Sequence, residues 1–149
     1  MALEEARALY RGDLLTEPYY EWVHTRADDG LTLRELYREE YFRVTQRVAE
    51  LYRQQGQPAR AVTLYRDILK LEPTLEDVVR SVYRCYQELG DRGALLREHR
   101  RLQDSLRQLL RSSDEPDDDP ELYEPERETV AAYEQALAAL DARTAVGQP

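Results

Sequence analysis

The chain has 149 residues, a length that suits one domain with a modest core and not two independent ones. Its net charge of −9 is local: residues 1–111 hold 19 basic and 19 acidic side chains, whereas residues 112–149 hold 2 basic and 11 acidic, a balance that argues against direct binding of a phosphate backbone. The single cysteine, Cys85, excludes an intrachain disulfide, and with neither a signal peptide nor a run of about 18 apolar residues a cytoplasmic, reducing setting is expected.

Helical spacing dominates the chain in order. Leu3, Ala6 and Tyr10 fall 3 and 4 residues apart, giving a short amphipathic helix that Gly12 closes. Thr16 as N-cap and Pro18 in the first turn open a second helix bearing Tyr19, Tyr20, Trp22, Val23 and Arg26, which stops near Asp28-Asp29-Gly30. Thr32 and Glu35 have the spacing of a capping box, and Leu33, Tyr37, Tyr41, Val44, Val48 and Leu51 then recur every 3 or 4 residues to Gly56. Pro58 opens the next helix, with Ala61, Val62, Tyr65, Ile68 and Leu69, and Pro73 ends it by biasing Glu72 out of the α region. Thr74, three residues before Asp77, is expected to cap the helix bearing Leu75, Val79, Val82, Tyr86 and Leu89, which Gly90 closes. A further helix carries Leu95, His99, Leu102, Leu106 and Leu109 to about Arg111, with His99 on its apolar face. The acidic stretch 112–122 reads as a loop, because like charges and prolines crowd a segment almost without apolar residues. The last helix, expected at about 125–143, carries Val130, Tyr133, Leu137 and Leu140 as its apolar stripe.

Gly56 and Gly90 lie 34 residues apart, each ending a Tyr-bearing helix. That period is the repeat of tetratricopeptide arrays, in which one helical hairpin must stack on a neighbour to bury its apolar face. The unit at about 42–75 resembles that consensus through Ala49, Tyr52, Gly56, Ala61, Tyr65 and Pro73. The unit at about 76–109 is degenerate, with Tyr83, Leu95 and His99 where the first has Ala49, Ala61 and Tyr65. The expected fold is therefore all-α: a tetratricopeptide-like α-solenoid of antiparallel hairpins, about seven helices in a single domain over 1–149, with a C-terminal capping helix.

A second resemblance covers nearly the whole chain. Leu9-Tyr10-Arg11-Gly12-Asp13-Leu14-Leu15, Trp22 with Arg26, Gly56 through Pro73 with Glu76, Leu89-Gly90-Asp91-Arg92, Leu102 to Leu110, and Pro125 to Thr129 with Tyr133 occur in the order found in the bacterial transcriptional activator domain. That family follows a winged-helix DNA-binding domain in regulators of antibiotic pathways. The resemblance implies a non-enzymatic regulatory module, acting through self-association or contact with another regulatory protein on a DNA-binding domain that this chain lacks. A free-standing tetratricopeptide adaptor that docks peptides is the alternative.

Catalytic and metal chemistry find little support. Glu21-x-x-His24 has the spacing of a di-iron helix ligand pair, but that fold needs two such pairs and His99 supplies no second one. With two histidines, one cysteine, no nucleophile elbow and no Gly-rich phosphate loop, neither a catalytic residue, a metal nor a cofactor is expected. Cys85, among apolar positions, reads as a small core residue. The polar positions on the first helix of each repeat form the candidate partner-binding groove: Arg43, Gln46, Glu50, Arg53, Arg80, Arg84 and Gln87. Arginines there would suit a carboxylate-bearing protein partner, with no direct nucleic-acid or membrane contact by this segment.

Overall fold

A computed structural model describes residues 2–8, 32–112 and 123–147. Among these residues six α-helices and no strand are present: α1 (Ala2–Ala8), α2 (Leu33–Gln54), α3 (Pro58–Leu71), α4 (Glu76–Leu89), α5 (Arg92–Ser112) and α6 (Arg127–Val146). The helix expected after Pro18 lies outside the described residues, as do most of the acidic stretch and the Glu21/His24 pair.

Local chemistry sets the helix ends. Thr32 and Glu35 form the expected capping box, satisfying a backbone donor in each direction. At Gly56 the chain turns left-handed (φ 74°), its N–H donates to the Arg53 carbonyl, and the Gln57 N–H donates to that of Tyr52. Gly90 (φ 73°) repeats both bonds one period later, its own N–H to Gln87 and that of Asp91 to Tyr86. Both are the Schellman stop, which needs a residue that tolerates positive φ. We expect Gly90→Ala to cost about 1 kcal/mol from backbone strain, read as a shift in the urea midpoint at unchanged slope.

The start of α4 differs from expectation. Its N-cap is Leu75, without a side-chain cap bond, and the Thr74 hydroxyl faces the Glu72 carboxylate at 3.4 Å. The helix begins one residue too late for Thr74 to reach its free donors. Glu76 instead accepts the Glu126 N–H at 2.9 Å, so a carboxylate of α4 satisfies the start of α6.

The helices pack as two stacked antiparallel hairpins, α2/α3 and α4/α5, with α1 against α2 and α6 against α4 and α5. Arg7 pairs with Asp67, and the Tyr52 hydroxyl donates to Glu4 at 2.6 Å, fixing α1 over the first hairpin. One continuous core runs through Val48, Ala49, Tyr65, Ile68, Val79, Val82, Tyr83, Leu95 and Leu102 to Ala136 and Leu140. Because α4 is packed by α3, α5 and α6, it buries a broad arc, including Val78, Tyr83 and Cys85 beyond its expected stripe. Cys85 is fully buried, and that desolvation pushes its thiol up to about 12, which makes it a core residue rather than a nucleophile.

The long helices overhang their partners. α2 has 22 residues and α5 has 21, against 14 in α3 and in α4. Tyr37 and Leu109, expected on apolar stripes, lie on these overhangs and are 57% and 48% exposed.

Candidate functional site

α6 runs parallel to α4, in the position that the first helix of a third repeat would occupy. Contacts at both ends and in the middle hold it there. At its start Arg80 bonds Glu126 at 2.9 Å and the buried Thr129 hydroxyl at 2.8 Å, with Glu128 at 3.8 Å. At its end Arg143 donates to the Gln87 carbonyl at 3.0 Å, and Arg92 of α5 pairs with Asp141 at 2.7 Å. Between them the Tyr133 ring stacks on His99 with centroids 3.9 Å apart, and His99 Nδ1 shares a 2.8 Å hydrogen bond with the Tyr83 hydroxyl. Two of the three residues that made the second repeat look degenerate, Tyr83 and His99, are thus ones that seat α6. Its contact face centres on Thr129, Tyr133, Ala136 and Leu140, rotated from the expected stripe that began at Val130.

Between α2, α4 and α6 lies a cleft of about 590 Å³. Gln46 of α2 borders it, α4 contributes Asp77, Arg80, Ser81, Tyr83, Arg84 and Gln87, and α6 contributes Glu128, Ala131, Ala132, Gln135 and Ala136. Four of the seven groove positions expected from sequence therefore meet in one place: Gln46, Arg80, Arg84 and Gln87. The other three do not line it. Arg43 pairs with Glu40 on its own helix, and both side chains are exposed. Glu50 and Arg53 pair with each other at 2.7 Å, and Arg53 also reaches Glu88 of α4, so this group ties the two hairpins together. The hydrogen bond from Arg53 holds the Glu50 carboxyl at about 2, well below the usual range.

Sequence reasoning missed Asp77, Ser81 and the whole α6 wall. The available signal was the run of alanines in α6, which lets a helix approach closely and leaves an open floor beside it. Among the described residues no group of His, Cys, Asp and Glu is arranged to hold a metal ion, and no helix is long and apolar enough to cross a membrane.

Two tandem hairpins, the same left-handed glycine turn recurring 34 residues apart and a final helix parallel to α4 make the fold a tetratricopeptide-like array. The family model described as the bacterial transcriptional activator domain matches residues 1–137. The chain belongs to that family. This makes it a domain associated with transcriptional regulators. No curated protein and no solved structure matches the chain.

In this activator domain the aromatic seat of α6 carries a titratable group. Burial holds the His99 imidazole below its ordinary 6.5, so folding favours the neutral ring. As pH falls through that range the unfolded chain takes up the proton first; His99 therefore contributes full stability above about 6.5 and loses it below. We expect urea midpoints to decline between pH 7.5 and 5.5, and a His99→Phe variant to lose part of that slope.

Proposed function

We propose that this domain is a non-enzymatic, protein-binding module of a cytoplasmic transcriptional regulator. Through self-association or contact with another regulatory protein, it controls a winged-helix DNA-binding domain lying outside these 149 residues. The observation that carries the reading is the cleft, where a family of regulatory domains meets a concave, polar surface built from four of the expected groove residues. Arg84 and Gln87 give it donors suited to a protein surface.

Solution mass of the purified chain, alone and with candidate regulatory proteins, tests the proposal. A complex that Arg84→Ala and Gln87→Ala weaken supports it. Unchanged mass under every condition, or appreciable binding of duplex DNA by this chain at physiological salt, would sink it.

A further inference from the structure

We infer that the cleft takes an extended peptide segment of about five residues. The segment bears one basic and one acidic side chain about three positions apart, the basic one meeting Asp77 and the acidic one Arg84. This rests on the reading of the domain as a protein-binding module and names what it binds.

The hydrogen-bonding state of the lining leads to this class. Among the described residues the side chains of Gln46, Gln87 and Gln135 make no hydrogen bond, although Gln46 and Gln87 are half-buried. Elsewhere the surface arginines and carboxylates are extensively paired. A carboxamide carries both donors and an acceptor, the same set that an extended backbone presents with its N–H and C=O groups. Three such groups around one cleft form a grip for peptide units that ignores the side chains they carry.

Charge supplies the selectivity. Arg80 is already engaged by Glu126, Glu128 and Thr129. Of the remaining charges on α4, Asp77 is exposed and its carboxylate has no bonding partner among the described residues, while Arg84 is exposed and bonds only the Ser81 hydroxyl at 3.3 Å. Asp77 and Arg84 are seven residues apart on one helix, about 10 Å of axis, with opposite signs. An extended chain of the polyproline II form advances about 3.1 Å per residue and returns to the same face every third residue, so that distance spans about three positions, with the side chains at both ends facing α4. The whole stretch from Asp77 to Gln87 is about 15 Å, or about five residues of such a chain. Ala131, Ala132 and Ala136 keep the α6 side low enough for a backbone to lie against it. Other ligand classes fit less well: Asp77 and Glu128 repel phosphate, and a partner helix needs an apolar groove that this lining does not offer.

The test uses the 149-residue chain and five capped decapeptides of Gly and Ser that differ only at two sites three apart: Lys with Glu, Glu with Lys, Lys with Lys, Glu with Glu, and Gln with Gln. Affinities come from titration calorimetry. One of the two mixed-charge peptides, the order that puts Lys at Asp77 and Glu at Arg84 for the direction the chain takes, should bind best, about five-fold tighter than either like-charged peptide, the scale of one exposed ion pair. Asp77→Lys should transfer the preference to the Glu/Glu peptide, and Arg84→Glu to the Lys/Lys peptide. Removing Gln46 and Gln87 together to Ala should weaken all five alike. Both charged positions are exposed, so the variants should stay folded, with the melting curve of Arg84→Glu close to the parent's and that of Asp77→Lys a few degrees lower because Asp77 lies in the first turn of α4. Equal affinity across the set, no binding at millimolar peptide, or preferences that ignore the two charge reversals would overturn the inference. If that happens while solution mass still reports a protein complex, only the ligand assignment falls; if neither appears, the module reading falls with it.

Discussion

Tyr65→Ala is expected to destabilise the domain by about 3–5 kcal/mol, the range for truncating a large aromatic in a packed core. Tyr65 is 2% exposed and lies in the α3 face that packs between α2 and α4, beside Ala61, Leu64 and Ile68. Loss of its surroundings' contacts with the ring leaves a cavity that two neighbouring helices cannot both close. Burial also pushes its hydroxyl up to about 12. For a chain of this length the melting temperature should fall by roughly 10 °C or more. A melting temperature equal to the parent's would show that the ring is not part of the core.

Tyr83→Ala should cost about as much, about 3–5 kcal/mol, and should do something Tyr65→Ala does not. Tyr83 is 1% exposed, binds His99 through its hydroxyl and lies 5.9 Å from the Tyr133 ring. Removing it takes away the support on which α6 rests. Hydrogen exchange should therefore speed up selectively along α6, ahead of α2 and α3, which the same measurement on Tyr65→Ala should not show. Tyr83→Phe separates the two contributions: it keeps the ring and loses only the bond to His99, at about 1 kcal/mol. Uniform acceleration over all helices in Tyr83→Ala would argue that α6 has no separate opening.

Much of the fold was legible because the signals were local. Gly56 and Gly90 need positive φ, Pro58 and Pro73 restrict backbone in a fixed sense, and the Thr32/Glu35 box is a matter of adjacent atoms. The buried face of α2 shows where single-helix reasoning stops. Counting apolar residues traced Tyr37, Tyr41, Val44, Val48 and Leu51, whereas burial centres on Thr45, Val48, Ala49 and Tyr52. The tetratricopeptide positions Ala49 and Tyr52 located that face better, since a repeat pattern encodes a neighbour and a stripe does not. Tyr37 and Leu109 failed for a related reason: among the described residues the overhanging ends of α2 and α5 have no helix beside them to cover the stripe.

The candidate site was half legible. Arg80, Arg84 and Gln87 share a face of α4 by helical spacing alone, and the 34-residue period puts Gln46 at the position of α2 that matches Arg80, both of which a sequence displays. That Glu50 and Arg53 instead join the hairpins depends on Glu88, a residue 35 positions along the chain from Arg53. The α6 wall was hidden because its docking rests on His99 and Tyr83, which depart from the repeat pattern and so looked like decay.

Cys85 gives the domain a built-in clock. It is the only thiol in the chain, wholly buried in the helix that three others cover, and its high pKa leaves almost no thiolate at neutral pH. A thiol-reactive dye must wait for α4 to be uncovered, so the labelling rate counts openings of the assembled array without any engineered probe. Occupation of the cleft, which borders the same helix, should lengthen that wait in proportion to how firmly the occupant holds the array closed.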